Sequence, residues 1–92
     1  MVRVLVVYDI DDDAKRVKLA DRLKGLGLSR IQRSAFAGNL DSQRLRDLYR
    51  LCERFATDPR DVIHVFVLCG YDWSRRRAFG SFREAVEHVV LV

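Results

Sequence analysis

Long apolar runs are missing from this chain. No stretch of its 92 residues is long enough to cross a bilayer or to serve as a signal peptide, so a soluble cytoplasmic protein with no membrane partner is expected. Cysteine is scarce. Cys52 and Cys69 lie far apart, and Cys52 falls on a predicted helix face. Neither a zinc knuckle nor a redox pair is indicated, and both are expected to be reduced core thiols. Lysine is also sparse: fourteen of the seventeen cations are arginine, and the net charge is +4. Arginine forks onto phosphate, which makes nucleic acid the first partner to test, against the alternative of solvated helix faces in an arginine-biased sequence.

What remains is an ordinary globular composition with one proline, Pro59. Residues 1–92 are expected to form one domain. A domain this small buries only about two thirds of its unfolded surface, so association with a second copy is a natural source of further burial.

The most informative stretch is VRVLVVYDIDDD, Val2 to Asp13. Val2, Val4, Val6 and Tyr8 alternate with Arg3, Leu5, Val7 and Asp9, so both faces of the strand are largely apolar and each must be covered. The strand delivers Asp9 to its carboxyl end. A helix is predicted from Asp12 or Asp13 to the glycines Gly25 and Gly27, burying Leu19, Ala20, Leu23 and Leu26. Arg16 lies on the core side of that helix and is directed back toward the strand ends, while Lys15, Lys18 and Arg22 form a basic row.

GLSRIQRSAFAG then reads as a strand or strand pair whose broken alternation predicts a bulge near Gln32 to Ser34, able to bring Arg30 and Arg33 together. A second helix is predicted from an Asp41 or Ser42 cap to about Ala56, with Leu45, Leu48, Tyr49, Cys52 and Phe55 inward and Arg46, Arg50 and Arg54 outward. Thr57 to Asp61 is a turn, and Val62 to Cys69 is a second strand apolar on both faces. His64 within it reads as a core or interface histidine. Gly70 to Arg77 reads as a basic loop around Trp73 that could lie along a phosphate backbone. At the end, SFRE fits a capping box and HVVLV a final strand.

This order predicts an α+β, ferredoxin-like βαββαβ sandwich with an antiparallel sheet and two helices on one face. The uncovered apolar face then implies a homodimer.

Asp9, Asp11 and Asp13 match the first ligands of a calcium loop, but the match fails at Ala14 and Ala20, where glycine and glutamate are required. A phosphatase with an aspartyl nucleophile would need further motifs on a longer chain. Asp11, Asp12 and Asp13 are read as helix-start residues. Asp9 is different: two copies meeting at a twofold axis would repel, and a divalent cation such as Mg²⁺ would relieve that repulsion and bind phosphate oxygen.

VVYDI, followed by an acidic turn, a basic helix and GLSRIQRSAFAGNL, closely resembles family two of the CRISPR-associated endonucleases, the small protein that partners the CRISPR integrase in spacer acquisition. The resemblance spans most of Val2 to Leu68. It implies a ferredoxin-like homodimer whose terminal strand pairs across the dimer; residues 1–69 are read as the core and 70–92 as the basic loop, whose Trp73 to Arg77 is no family signature, followed by the dimerisation segment. It implies that Asp9 is the catalytic and metal-binding residue, with Tyr8 beside it, and that Mg²⁺ or another divalent cation sits at the dimer interface. It places Arg16, Lys18, Arg30 and Phe36 at functional basic and aromatic positions, and Arg33, which follows the RIQ motif, is expected as a phosphate contact.

Members of this family are described both as metal-dependent endonucleases on RNA or DNA and as bridges that hold duplex DNA for the integrase. The expected protein is therefore a spacer-acquisition dimer that binds duplex DNA, and single-stranded RNA as a further substrate, with metal-dependent phosphodiesterase activity at Asp9. The alternatives are a toxin-type ribonuclease of the same fold, a non-catalytic adaptor, and a small-molecule-binding regulatory domain.

Overall fold

A computed structural model describes residues 1–80 of the chain. Its elements are β1 (Val2–Asp9), α1 (Asp13–Gly25), β2 (Ser29–Gln32), β3 (Ala35–Leu40), α2 (Ser42–Phe55), β4 (Val62–Leu68) and a short helix α3 (Gly70–Ser74). The expectations for SFRE and HVVLV, and for a strand crossing the dimer, lie outside the described residues.

The sheet order is β2-β3-β1-β4, with every neighbouring pair antiparallel. This is the ferredoxin-like α+β arrangement. It follows from the alternation in β1: Val4, Val6 and Tyr8 join Phe36 and Leu40 of β3, Leu19 and Leu23 of α1, and Leu48 and Leu51 of α2 in one buried core. Antiparallel partners share a face, so the register pairs Leu5 with Phe66, Val7 with His64 and Asp9 with Val62 on the side without α1 and α2. Phe66 is 49% exposed there, Val62 41% and Val7 37%. Among the described residues, no helix is long and apolar enough to cross a membrane.

Both long helices start where a carboxylate meets free N–H groups. Asp12 accepts from the Lys15 amide at 2.8 Å, and Asp41 from the Arg44 amide at 2.8 Å. At the end of α1, Gly27 takes φ +94° while its N–H reaches the Lys24 carbonyl at 2.9 Å, a left-handed position that a side chain would strain.

Four expectations are corrected. The bulge falls between Arg30 and Gln32, just before the turn in which it was expected. Leu51 is buried in α2, whereas Tyr49 is exposed, so the inward stripe is rotated away from Tyr49 toward Leu51. Gly70–Ser74 is helical, capped by Cys69, whose sulfur accepts from the Asp72 amide at 3.4 Å. Cys69 is exposed at that cap rather than in the core, while burial pushes the partly covered Cys52 thiol up to about 11.

Candidate active site at the end of the first strand

Asp9 is the last residue of β1 and is exposed on the open face of the sheet. Among the described residues its carboxylate has no side-chain partner. The three aspartates after it are all engaged. Asp11 pairs with Arg60 at 2.9 Å, Asp12 caps α1, and Asp13 pairs with Arg16. The acidic stretch therefore divides into one available carboxylate and three structural ones. No group of three His, Cys, Asp or Glu side chains among the described residues is arranged to hold a metal. Asp9 offers one carboxylate at this strand end, which suits a cation that binds through one or two carboxylates plus water and phosphate, as Mg²⁺ does.

The turn beneath Asp9 is held from two sides. Arg16 donates to the Ile10 carbonyl at 2.9 Å and to the Asp11 carbonyl at 3.2 Å, so it does point back toward the strand ends and tie down the turn. From the other side Asp61 accepts from the Asp11 amide at 3.3 Å and the Asp58 amide at 3.2 Å, and it forms a salt bridge with Lys15. Lys15 also donates to Thr57 Oγ1 at 3.1 Å. Ile10, 1% exposed, plugs the core between these two clamps. The Lys15–Asp61 contact joins residues 46 apart in sequence, and nothing local in the sequence announces it.

The Lys15 hydrogen bond, helped by the two backbone amides and opposed by burial, lowers the Asp61 pKa from its ordinary value of 3.8. A lowered carboxylate pKa stabilises the fold fully above the unfolded value, and that stabilisation is lost as pH falls through the folded one. The stability difference between wild type and Asp61→Asn in urea unfolding is therefore expected to be flat from about pH 7 to about pH 5 and to disappear toward the acid end. A difference that grows with acid would contradict this assignment.

The sheet separates the other residues expected at the site. Tyr8 lies on the helix side, buried, with its ring stacked on Phe36 at 6.3 Å. Arg30, opposite Phe36 in the ladder, lays its guanidinium over the same ring at 5.1 Å. Tyr8 thus faces away from the Asp9 carboxylate and packs the core. Phe36 is fully buried and offers no surface to a base; its ring instead supports Arg30. Arg33 is exposed in the β2–β3 turn, which the bond from the Tyr8 amide to the Ser34 carbonyl, 3.0 Å, holds at the Asp9 end of the sheet. Lys18 is exposed on α1 and lines a shallow hollow with Asp12, Ala14 and Lys15.

Two further features stand out once the chain is folded. His64 is exposed on the open face, diagonally across the ladder from Asp9, with its ring stacked on Phe66 at 6.1 Å. At the far end of β1, Trp73 of α3 packs between cations, with Arg3 at 5.3 Å and Arg76 at 4.1 Å from its ring, while Arg75 lies over Tyr71 at 5.2 Å. Such stacks hold guanidinium groups in place while leaving N–H donors on their edges. Six residues of strand separate Arg3 from Asp9, about 20 Å.

Comparison with known proteins agrees with this fold. The family model described as CRISPR associated protein Cas2 matches residues 1–76. A CRISPR-associated endoribonuclease Cas2 from Korarchaeum cryptofilum is 44% identical over 79 residues, covering 86% of this chain and 85% of that one. A CRISPR-associated endonuclease Cas1/endonuclease Cas2 fusion from Thermoproteus tenax is 49% identical over 63 residues, 68% of this chain and 24% of the fusion. The crystal structure of a hypothetical protein from Thermus thermophilus superposes with a TM-score of 0.73 at 35% identity, over 86% of this chain and 90% of that one.

Proposed function

Because the chain belongs to the CRISPR associated protein Cas2 family, we propose that it is a cytoplasmic homodimer that binds duplex DNA with an integrase partner in spacer acquisition. We also propose that it cleaves phosphodiesters of RNA or DNA at Asp9 with the help of Mg²⁺ or another divalent cation. The position of Asp9 carries the reading: an exposed carboxylate at a strand end, beside a sheet face whose Val7, Val62 and Phe66 are left open to a second copy. Pairing two such faces buries those side chains and brings two Asp9 carboxylates toward one axis. Two facing carboxylates would hold the cation, which polarises the phosphodiester and activates water when bound. The chain's own part is to hold Asp9 on a rigid strand end and to grip phosphate with Arg33 and the arginines that follow α3, Arg75 to Arg77. The Thermoproteus tenax relative, in which an endonuclease Cas1 and an endonuclease Cas2 are fused in one chain, supports a second acquisition protein, the integrase, as partner.

A second reading, a bridge that holds duplex DNA without cutting it, is favoured because no group of three His, Cys, Asp or Glu side chains among the described residues gathers around Asp9. One experiment addresses both. Labelled single-stranded RNA and duplex DNA are incubated with the protein in Mg²⁺ and in EDTA, and duplex affinity is followed from low to moderate salt. Cleavage is expected to stop in EDTA and return with Mg²⁺, while duplex binding persists throughout. Arg33→Ala, Arg76→Ala and Arg77→Ala are each expected to reduce the slope of log affinity against log salt by about one. Cleavage that survives chelation sinks the cation reading; duplex binding with no cleavage even in Mg²⁺ selects the bridge.

A further inference from the structure

We infer that Asp61 is a positioning residue for Asp9. The inference rests on the reading of Asp9 as a cation ligand and adds to it the group that sets where that ligand stands. With no side-chain partner among the described residues, the Asp9 carboxylate is located only by the backbone on either side of it. Upstream, β3 pairs with β1 as far as Val7, and beyond that point Asp9 is paired only with Val62 of β4. Downstream, the chain turns through Ile10 and Asp11 into α1. Asp61 reaches both segments: it is covalently joined to Val62, and its Oδ1 accepts the Asp11 amide at 3.3 Å.

The carboxylate that does this is itself firmly held. Its side chain is 1% exposed, and besides the Asp11 amide it accepts the Asp58 amide at 3.2 Å and the Lys15 ammonium. Lys15 belongs to the first turn of α1, and its second bond goes to Thr57 at the end of α2. One side chain thus fastens the end of β1, the start of α1 and the loop before β4 to a single point. Arg16 holds the carbonyls of the same turn, Ile10 at 2.9 Å and Asp11 at 3.2 Å, so donors and acceptors of the turn are fixed by opposite charges. If Asp61 is removed, the Asp11 amide loses its acceptor and the turn is left to Arg16 and to the exposed Arg60–Asp11 ion pair. Groups that orient a cation ligand typically change affinity about 10–100-fold when removed, and Asp61 acts on the ligand's backbone rather than on its carboxylate, which places the expected effect at the lower end.

The test uses the full chain and Mn²⁺ as the probe, titrated while paramagnetic broadening of backbone amide signals around Asp9 is followed. Asp9→Asn is expected to abolish the broadening. Asp61→Ala is expected to weaken Mn²⁺ affinity about tenfold, and Asp61→Asn, which keeps an oxygen for the Asp11 amide, to fall between it and wild type. Leu48→Ala, at a fully buried position of the core, serves as the stability control: it lowers Tm and is expected to leave Mn²⁺ affinity unchanged. Wild-type Mn²⁺ affinity in either folded Asp61 variant, with Asp9→Asn blank, overturns the positioning role and leaves the cation reading intact. Leu48→Ala weakening Mn²⁺ as much as Asp61→Ala, for the same loss of Tm, also overturns it. Wild-type Mn²⁺ binding in Asp9→Asn overturns the cation reading and the inference with it. Should Asp61→Ala fail to fold, the milder Asp61→Asn carries the same comparison.

Discussion

Asp9→Asn is expected to reduce phosphodiester cleavage at least about a hundredfold while duplex affinity is kept or rises. Groups behind a cation ligand are worth roughly 10–100-fold, so the ligand itself should be worth no less. The change is nearly isosteric and falls on an exposed side chain at a strand end, so stability should move by no more than about 0.5 kcal/mol. Affinity should not fall, because a dimer carrying the substitution has lost two negative charges beside its phosphate-binding surface. Single-turnover cleavage and duplex binding, measured on the same preparation and accompanied by thermal unfolding, separate these effects. Loss of binding together with cleavage would mean that Asp9 holds the interface rather than the chemistry. Full cleavage in Asp9→Asn would move the reaction elsewhere on the chain. Spacer acquisition that persists without cleavage would assign the biological role to the bridge.

The sequence already placed Tyr8 and Asp9 on opposite faces, because a strand alternates with period two and VRVLVVYD contains no interruption. The family resemblance grouped them because they are adjacent in the chain, and the fold shows what adjacency conceals: one ring under the helices and one carboxylate outside. The two long helices were legible for a similar reason. Asp12 and Asp41 are local caps, and the apolar spacing after each repeats over about two turns or more. Tyr49 was misplaced because the stripe that includes it and the stripe that includes Leu51 differ by a modest rotation, and only the partner surface decides between them. Gly70–Ser74 is too short to show a period at all. The Lys15–Asp61 clamp was beyond reach for a different reason: the pair exists only after the sheet order has put the start of β4 beside the end of β1, and one aspartate among nine others gives no local sign of which carboxylate will be buried.

Phe66→Asp and Val7→Asp are each expected to convert the dimer to monomer and to abolish cleavage even though Asp9 is untouched. Both side chains lie on the sheet face away from α1 and α2, where Val7 sits opposite His64 and Phe66 opposite Leu5. In a single chain both positions are open, so an aspartate there stays hydrated and the fold bears little of the cost. In the dimer the same residue is taken out of water twice, once from each copy. An unpaired buried charge costs several kcal/mol, and even about 3 kcal/mol per dimer weakens association roughly a hundredfold. Tyr49→Asp provides the control, since Tyr49 is exposed on α2, on the opposite side of the sheet, and should leave the assembly intact. Sedimentation equilibrium at micromolar protein reads the assembly directly, and cleavage is assayed at the same concentrations. A Phe66→Asp chain that remains dimeric would show that a different surface joins the copies, and the twofold pairing of Asp9 would fall with it. A folded monomer that still cleaves would keep the catalytic aspartate but require one chain to complete the site alone. The expected result, a folded and inactive monomer, ties the chemistry of Asp9 to the apolar face beside it. That link explains why one strand carries both: the residues that bring two copies together also set how closely two carboxylates approach.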